Sequence, residues 1–199
     1  ERSLVTGGAG FIGSNLVDAL VKLKHHVIVF DNLSSGRISN LNKSKKKIKF
    51  YKVDIFKERK KIQNLIKKHN ITYIYHLAGL ADIIPSIENP ENYYNSNVNG
   101  TYNLLEAARK FKLKKFIYAA SASCYGVPKK YPTNEDSKIQ TEYPYAMTKY
   151  LGEKLVLDWA KIYNMNSLSL RFFNVYGPRS RTTGAYGAVF GVFLAQKLA

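Results

Sequence analysis

Ser121, Tyr145 and Lys149 carry the side chains of this 199-residue chain best suited to moving a proton. Tyr145 and Lys149 stand four positions apart in YPYAMTK. On a helix that spacing places them on one face, a single turn apart. An ammonium stabilises a phenolate, so Lys149 would lower the pKa of Tyr145 toward working pH. Ser121 and Ser123 end the apolar run that closes in YAASASCYG, and Ser121 would hydrogen-bond the same reacting hydroxyl. Tyr-x-x-x-Lys alone arises readily by chance in a chain rich in both residues. Its place after the fifth of a series of apolar strands gives it weight. The plainer reading makes Tyr145 and Lys149 ordinary helix residues and Ser121 a strand end.

A second group of residues suits an anion. LVTGGAGFIG, residues 4–13, runs from an apolar strand through Gly7, Gly10 and Gly13 into an apolar helical pattern. A dinucleotide pyrophosphate needs that order: a tight turn, a close backbone approach, a helix packed on its strand, and a helix N-terminus facing the anion. The GxxGxxG spacing is looser than the usual fingerprint, so the rest of the unit must support it. HVIVFDN supplies a buried-type strand ending in Asp31. A carboxylate there can accept both ribose hydroxyls and would repel a 2′-phosphate, which favours NAD over NADP. The alternative for Asp31 is a turn or helix-cap residue.

The elements that must position these groups follow from hydrophobic periodicity. Strands are predicted at Ser3–Thr6, Val27–Asp31, Ile48–Val53, Tyr73–Leu77, Lys115–Ala120 and Ser167–Phe172. Helices are predicted at Ile12–Leu23, Lys57–Lys68, Glu91–Phe111 and Tyr145–Tyr163, the first with Leu16, Ala19, Leu20 and Leu23 on its buried face. Apolar strands alternating with helices imply an α/β fold with a parallel sheet covered on both faces. Residues 32–47 read as a polar, mobile loop, and the Pro-bearing stretch 125–144 as a long irregular region of the kind that binds ligands.

The formal charge is +17, which would suit nucleic acid or an anionic surface. However, the lysine runs at 43–49, 57–61 and 110–115 fall in helix and loop stretches without interleaved aromatics. A solvated basic face is the preferred reading, with no nucleic acid. No stretch is long and uncharged enough to span a membrane. Cys124 is the single cysteine, so no disulfide forms within the chain and a cytoplasmic, reducing setting fits; no secretory leader and no metal are expected.

Together with DNLSSG, VDI, HLAG, NVNGT and RFFNVYGPR, these motifs run through almost the whole sequence. The chain resembles the extended short-chain dehydrogenase/reductases, specifically the NAD-dependent nucleotide-sugar 4-epimerases acting on UDP-glucose or UDP-N-acetylglucosamine. The resemblance implies a Rossmann-type doubly wound sheet. Residues 1–174 would form the NAD-binding domain with the catalytic Ser121, Tyr145 and Lys149, and 175–199 the start of a substrate lobe largely absent from this chain. Gly7, Gly10, Phe11, Ile12 and Gly13 would meet NAD, together with Asp31, Asn32, Ser35 and Gly36. Asp54 and Ile55 would flank the adenine, and Leu77, Ala78 and Gly79 the cofactor path. Asn97 would brace the helix and active-site strand, Phe173 would lie near the nicotinamide, and Lys149 would bond its ribose.

For the substrate, a nucleotide-diphosphate sugar linked to UDP, Ser86 and Asn174 would face the sugar diphosphate. Ser121 and Ser123 would lie at the sugar, and Ala188 and Val189 would approach the uracil. Tyr145 would take the proton of the sugar 4-hydroxyl while C4 gives hydride to NAD, and hydride would return to the other face of a 4-keto sugar. A homodimer pairing Glu91–Phe111 and Tyr145–Tyr163 and a place in polysaccharide biosynthesis are further implications.

Related 4,6-dehydratases usually carry a carboxylate directly after the serine-equivalent threonine, where this chain has Ala122 and Ser123. The 3,5-epimerising relatives use a cysteine two residues before the strand-end tyrosine; Ser123 is there, and Cys124 reads as a small buried hydrophobe. Ala81 replaces a lysine frequent in galactose epimerases. The 4,6-dehydratase remains the alternative activity, and an NAD-binding sensor or scaffold the non-enzymatic one. Glu1 at the start and the apolar VFLAQKLA at the end are what a piece of a longer chain would show.

Overall fold

A computed structural model describes residues 1–180 and 189–198. Six strands, β1 (Arg2–Thr6), β2 (His26–Asp31), β3 (Ile48–Lys52), β4 (Tyr73–His76), β5 (Lys115–Ser121) and β6 (Ser167–Phe172), form one sheet. Their order is β3-β2-β1-β4-β5-β6 and every pairing is parallel. The order reverses at β1, which lies between β2 and β4, and a crevice opens there at the carboxyl ends of the strands. The predicted doubly wound fold is the observed one.

Side chains in a strand alternate between faces, so a strand covered on both sides must be apolar throughout. Leu4, Ile28, Phe30, Ile74, Phe116 and Tyr118 enter one core, packed with side chains of α2 (Arg59–His69), α5 (Gly100–Ala108) and α6 (Pro144–Ile162). Val5, Val27 and Val29 enter the other, against Val17 and Leu20 of α1 (Phe11–Lys22). Coverage of this second face is uneven: on β6, Leu168 and Leu170 are exposed.

The structure also corrects the sequence reading in detail. The buried face of α1 runs through Gly13, Val17 and Leu20; Ala19 is exposed and Leu23 lies past the helix end, 70% exposed. Residues 32–47 are not a plain polar loop. They fold into two 3₁₀ turns, Ile38–Leu41 and Lys45–Lys47, because Leu41 is drawn fully into the α1 core. The helix predicted at Glu91–Phe111 is α4 (Pro90–Tyr94), a wide π turn at Asn95–Asn99, and then α5. A helix the sequence reading lacked, α3 (Ile83–Glu88), follows β4, and α7 spans Val189–Leu198. No helix among the described residues is long and apolar enough to cross a membrane.

Candidate active site

The glycine turn is fixed by its neighbours. Gly7 has φ +68°, and a β-carbon on it would stand 2.7 Å from the Ala78 nitrogen of the loop after β4. A β-carbon on Gly13 would collide with the Gly7 carbonyl, so only glycine lets α1 begin this close to β1. Gly10 caps α1 without a side-chain hydrogen bond, and Gly10, Phe11, Ile12 and Gly13 line a cleft of ≈ 2110 Å³. The amides of the first helical turn are thereby presented to that cleft.

Asp31, at the tip of β2, holds the turn from the other side. Its Oδ2 accepts the Ala9 N–H at 2.9 Å and its Oδ1 the Leu33 N–H at 2.8 Å. Each carboxylate oxygen keeps a second lone pair for a ligand hydroxyl. Asp31 therefore combines the turn-organising role with a place in the cleft wall. Asn32, Ser35, Gly36, Asp54, Ile55, Leu77, Ala78 and Gly79 all line the same cleft, as the sequence reading required. A glycine turn, a helix start and a carboxylate at the second strand tip fit a dinucleotide.

The proton-moving group sits at the far end. Ser121 closes β5, and its hydroxyl caps a 3₁₀ turn, Ala122–Tyr125, by accepting the Ser123 N–H. The Ser121 and Ser123 hydroxyls lie 2.7 Å apart, and they line the same cleft as Tyr145. Pro144 opens α6, where its missing N–H costs nothing, and Tyr145 follows in the first turn. Lys149, one turn on, is 7% exposed, with its ammonium 4.5 Å from the centre of the Tyr118 ring.

The electrostatics differ from the expected lowering of the phenol by Lys149. Burial raises the Tyr145 pKa above its ordinary value, and the hydrogen bonds of Ser121 and Ser123 act against it. Burial also lowers Lys149 to about 8, with the Glu153 carboxylate acting against that shift. Burial thus pushes both groups toward their neutral forms.

Beside Lys149 lies a partly buried ion pair. Arg171 of β6 donates from Nε and Nη2 to both oxygens of Glu153 (2.6–3.1 Å), and from Nη1 to the Tyr125 hydroxyl at 2.7 Å. Tyr125 stacks on Phe173 (centroids 6.4 Å apart), an exposed ring that lines the cleft beside Asn174. Further in, buried His76 bridges Thr6 (2.8 Å) and Thr101 (2.9 Å); burial lowers its pKa to about 3, so it is a neutral structural link between β1 and α5.

Several expected contacts fall elsewhere. Ser86 does not face the cleft: it is fully buried in α3, donates to the Ile83 carbonyl, and accepts the Tyr145 N–H at 3.1 Å. That amide, in the first turn of α6, has no partner within its own helix, which draws the serine inward. Asn97 does not line the cleft either. Its side-chain amide bonds Leu80 N–H (2.8 Å), Leu80 C=O (3.0 Å) and Thr148 Oγ1 (3.1 Å), bracing the loop after β4 against α6 rather than the strand. Cys124 is buried as expected, in the 3₁₀ turn rather than on a strand, and burial raises its thiol pKa. Ala188 lies outside the described residues, and Val189 is placed only as the first residue of α7. Among cleft-lining residues, Asp82, Tyr125, Tyr143 and Arg179 had no signal of their own in the sequence.

Residues 3–198 match the model of the NAD dependent epimerase/dehydratase family. The UDP-glucose 4-epimerase of Mycolicibacterium smegmatis is 38% identical over 191 residues, 94% of this chain and 60% of that one. A crystal structure of UDP-glucose 4-epimerase with UDP-glucose, from Thermotoga maritima, superposes with TM-score 0.93 at 36% identity, covering 100% of this chain and 63% of that one. A UDP-N-acetylglucosamine 4-epimerase from Methanobrevibacter ruminantium M1, in complex with UDP-N-acetylmuramic acid, gives TM-score 0.93 at 33% identity, with coverage of 100% and 63%. The chain thus spans about 60% of the length of the relatives it matches. By sequence and by fold, the chain belongs to the NAD dependent epimerase/dehydratase family.

Proposed function

We propose that the site in this chain serves NAD-dependent epimerisation at C4 of a nucleotide-diphosphate sugar, a UDP-hexose or a UDP-N-acetylhexosamine. One observation carries the reading: the paired Ser121 and Ser123 hydroxyls, Tyr145 and Lys149 line the one cleft that also holds the glycine turn and Asp31. The names of the relatives support it.

Tyr145 is the base that takes the proton of the sugar 4-hydroxyl and returns it after the ring carbon has been inverted. Ser121 and Ser123 hold that hydroxyl against the phenol through their paired hydroxyls. Lys149, when charged, stabilises the phenolate one turn away. NAD, when bound, would supply a reversible hydride acceptor for C4. Gly10 to Gly13 would hold its diphosphate, Asp31 its ribose, and Asp54 and Ile55 its adenine.

Elimination of water needs a carboxylate that the positions after Ser121 lack, which weighs against a 4,6-dehydratase. A sensor has no use for a buried phenol and amine paired in this way. The outer sides of α5 and α6, with Tyr102, Met147, Ile162 and Tyr163 exposed, are read as a homodimer interface, which a monomer by sedimentation would contradict. NMR of the intact protein with UDP-glucose and UDP-N-acetylglucosamine tests the activity: the 4-epimer is expected, and a 4-keto-6-deoxy product would overturn it.

A further inference from the structure

The Lys149 ammonium lies over the face of the Tyr118 ring, 4.5 Å from its centroid. We infer that this ring face is a positioning element: it seats the ammonium at the floor of the cleft, and the Tyr118 hydroxyl has no part in that role. The consequence for turnover rests on the epimerase reading above.

The ring is held from several sides. Tyr118 is buried in β5, and its hydroxyl donates to the main-chain carbonyl of Lys149 at 3.3 Å. A β-carbon on Gly152 would collide with that hydroxyl, so glycine at this point of α6 makes room for it. Gly152 follows Lys149 by three residues and shares its helix face. The backbone of α6 thus fixes one end of the ring while the Lys149 side chain lies across its face. The His76 ring packs beside it, with centroids 5.4 Å apart.

The titratable groups around the ammonium leave this role to the ring. Glu153, one turn further along α6, gives both carboxylate oxygens to Arg171 of β6. The Tyr145 phenol belongs to the preceding turn of α6. His76 of β4 is neutral, because burial lowers its pKa to about 3. Burial raises the Tyr118 phenol, so this ring is neutral as well.

A neutral ring still attracts a cation, since its π face carries the negative part of the quadrupole, and the attraction grows where water is excluded. Lys149 is 7% exposed. The ring face therefore favours the charged amine where burial disfavours it, and it fixes where the charge stands. A β-carbon on Gly79, which lines the cleft, would lie 3.8 Å from the Lys149 Nζ. The seat thus delivers the charge to the cleft, one turn from Tyr145.

The test places phenylalanine, and then phenylalanines of increasing fluorination up to the pentafluoro ring, at position 118 of the intact holoenzyme. Fluorine withdraws electron density from the π face at nearly constant shape, and every member of the series lacks the hydroxyl. The readouts are the proton affinity of Lys149 by NMR titration of its side chain and kcat/KM for UDP-glucose, with thermal melts as the folding control. Tyr118→Phe is expected to retain most of the Lys149 proton affinity. That affinity is expected to fall stepwise with fluorination, by about threefold or more from Tyr118→Phe to the pentafluoro ring, and kcat/KM with it. The lightly fluorinated members, closest to phenylalanine in shape, carry the slope should the pentafluoro protein melt early. A flat series in folded proteins would overturn the seat. A loss in Tyr118→Phe as large as in the pentafluoro protein would overturn it too, by assigning the effect to the hydroxyl. A graded titration in a protein that does not turn over UDP-glucose would uphold the seat and remove the epimerase reading.

Discussion

The Ser86 hydroxyl accepts the main-chain N–H of Tyr145 at 3.1 Å, so α3 anchors the helix that carries the reacting phenol. No side chain of α6's own N-cap residue does so. Ser86→Ala removes a buried acceptor from a first-turn amide, which costs about 1–2 kcal/mol and lowers Tm by a few degrees. Because Ser86 lies outside the cleft wall, kcat is expected to fall modestly with KM unchanged. A raised KM in a variant of unaltered stability would restore a sugar-contacting role.

Lys149 makes stability depend on pH with a definite sign. Its folded pKa, about 8, is below the ordinary lysine value of 10.5, so between these values the unfolded chain binds the extra proton. The cost of burying the ammonium is full below pH 8 and is relieved as pH rises toward 10.5. A shift of this size corresponds to about 3 kcal/mol. Lys149→Met removes the charge, so its stability advantage over wild type is expected to shrink by about 2 kcal/mol from pH 8 to 10. Urea unfolding across this range checks it; a constant difference would contradict the shift.

Arg171 and Glu153 form a partly buried, bidentate pair whose partners cannot be removed singly at low cost. Arg171→Met leaves the Glu153 carboxylate with only Lys149 as a neighbouring cation and is expected to destabilise by about 2–3 kcal/mol. The double variant Arg171→Met with Glu153→Met should recover part of that loss in denaturant unfolding. Equal stability of the single and double variants would show that the pair contributes nothing specific.

Most of the framework was legible because buried parallel strands need apolar residues on both faces. Leu4 and Val5, or Ile28 and Val29, serve opposite cores, and their runs stand out in the sequence. The convergence of Ser121 with Tyr145 was legible from a strand end and a helix start. What escaped depends on contacts distant in sequence. Ser86 is placed by an amide 59 residues away, in a six-residue helix that carries Pro85 in its first turn. Nothing in NSNVN announces the π turn that brings Asn97 to Leu80. The lowered Lys149 pKa arises from burial beneath neighbouring elements, and no spacing rule reports burial.

Asp31 already accepts two backbone amides, so its substitution should affect fold and ligand together. Asp31→Asn replaces one acceptor oxygen by a donor that faces an N–H. NAD affinity is expected to fall by about tenfold or more and Tm by a few degrees, since a lost hydrogen bond to a charged group is worth about 1.5–3 kcal/mol. Calorimetric titration with NAD and with NADP checks it. Unchanged NAD binding would leave Asp31 with its turn-organising role alone.

The central claim is that Tyr145 carries the proton of the sugar hydroxyl. The most direct measurement is turnover of UDP-glucose by Tyr145→Phe in the intact protein, followed by NMR, alongside its NAD affinity and melting temperature. The account predicts turnover lower by about 10²–10⁴-fold, the usual contribution of a positioned acid–base group, with NAD binding and folding preserved. A folded, NAD-binding Tyr145→Phe variant that still forms the 4-epimer at close to the wild-type rate would contradict it.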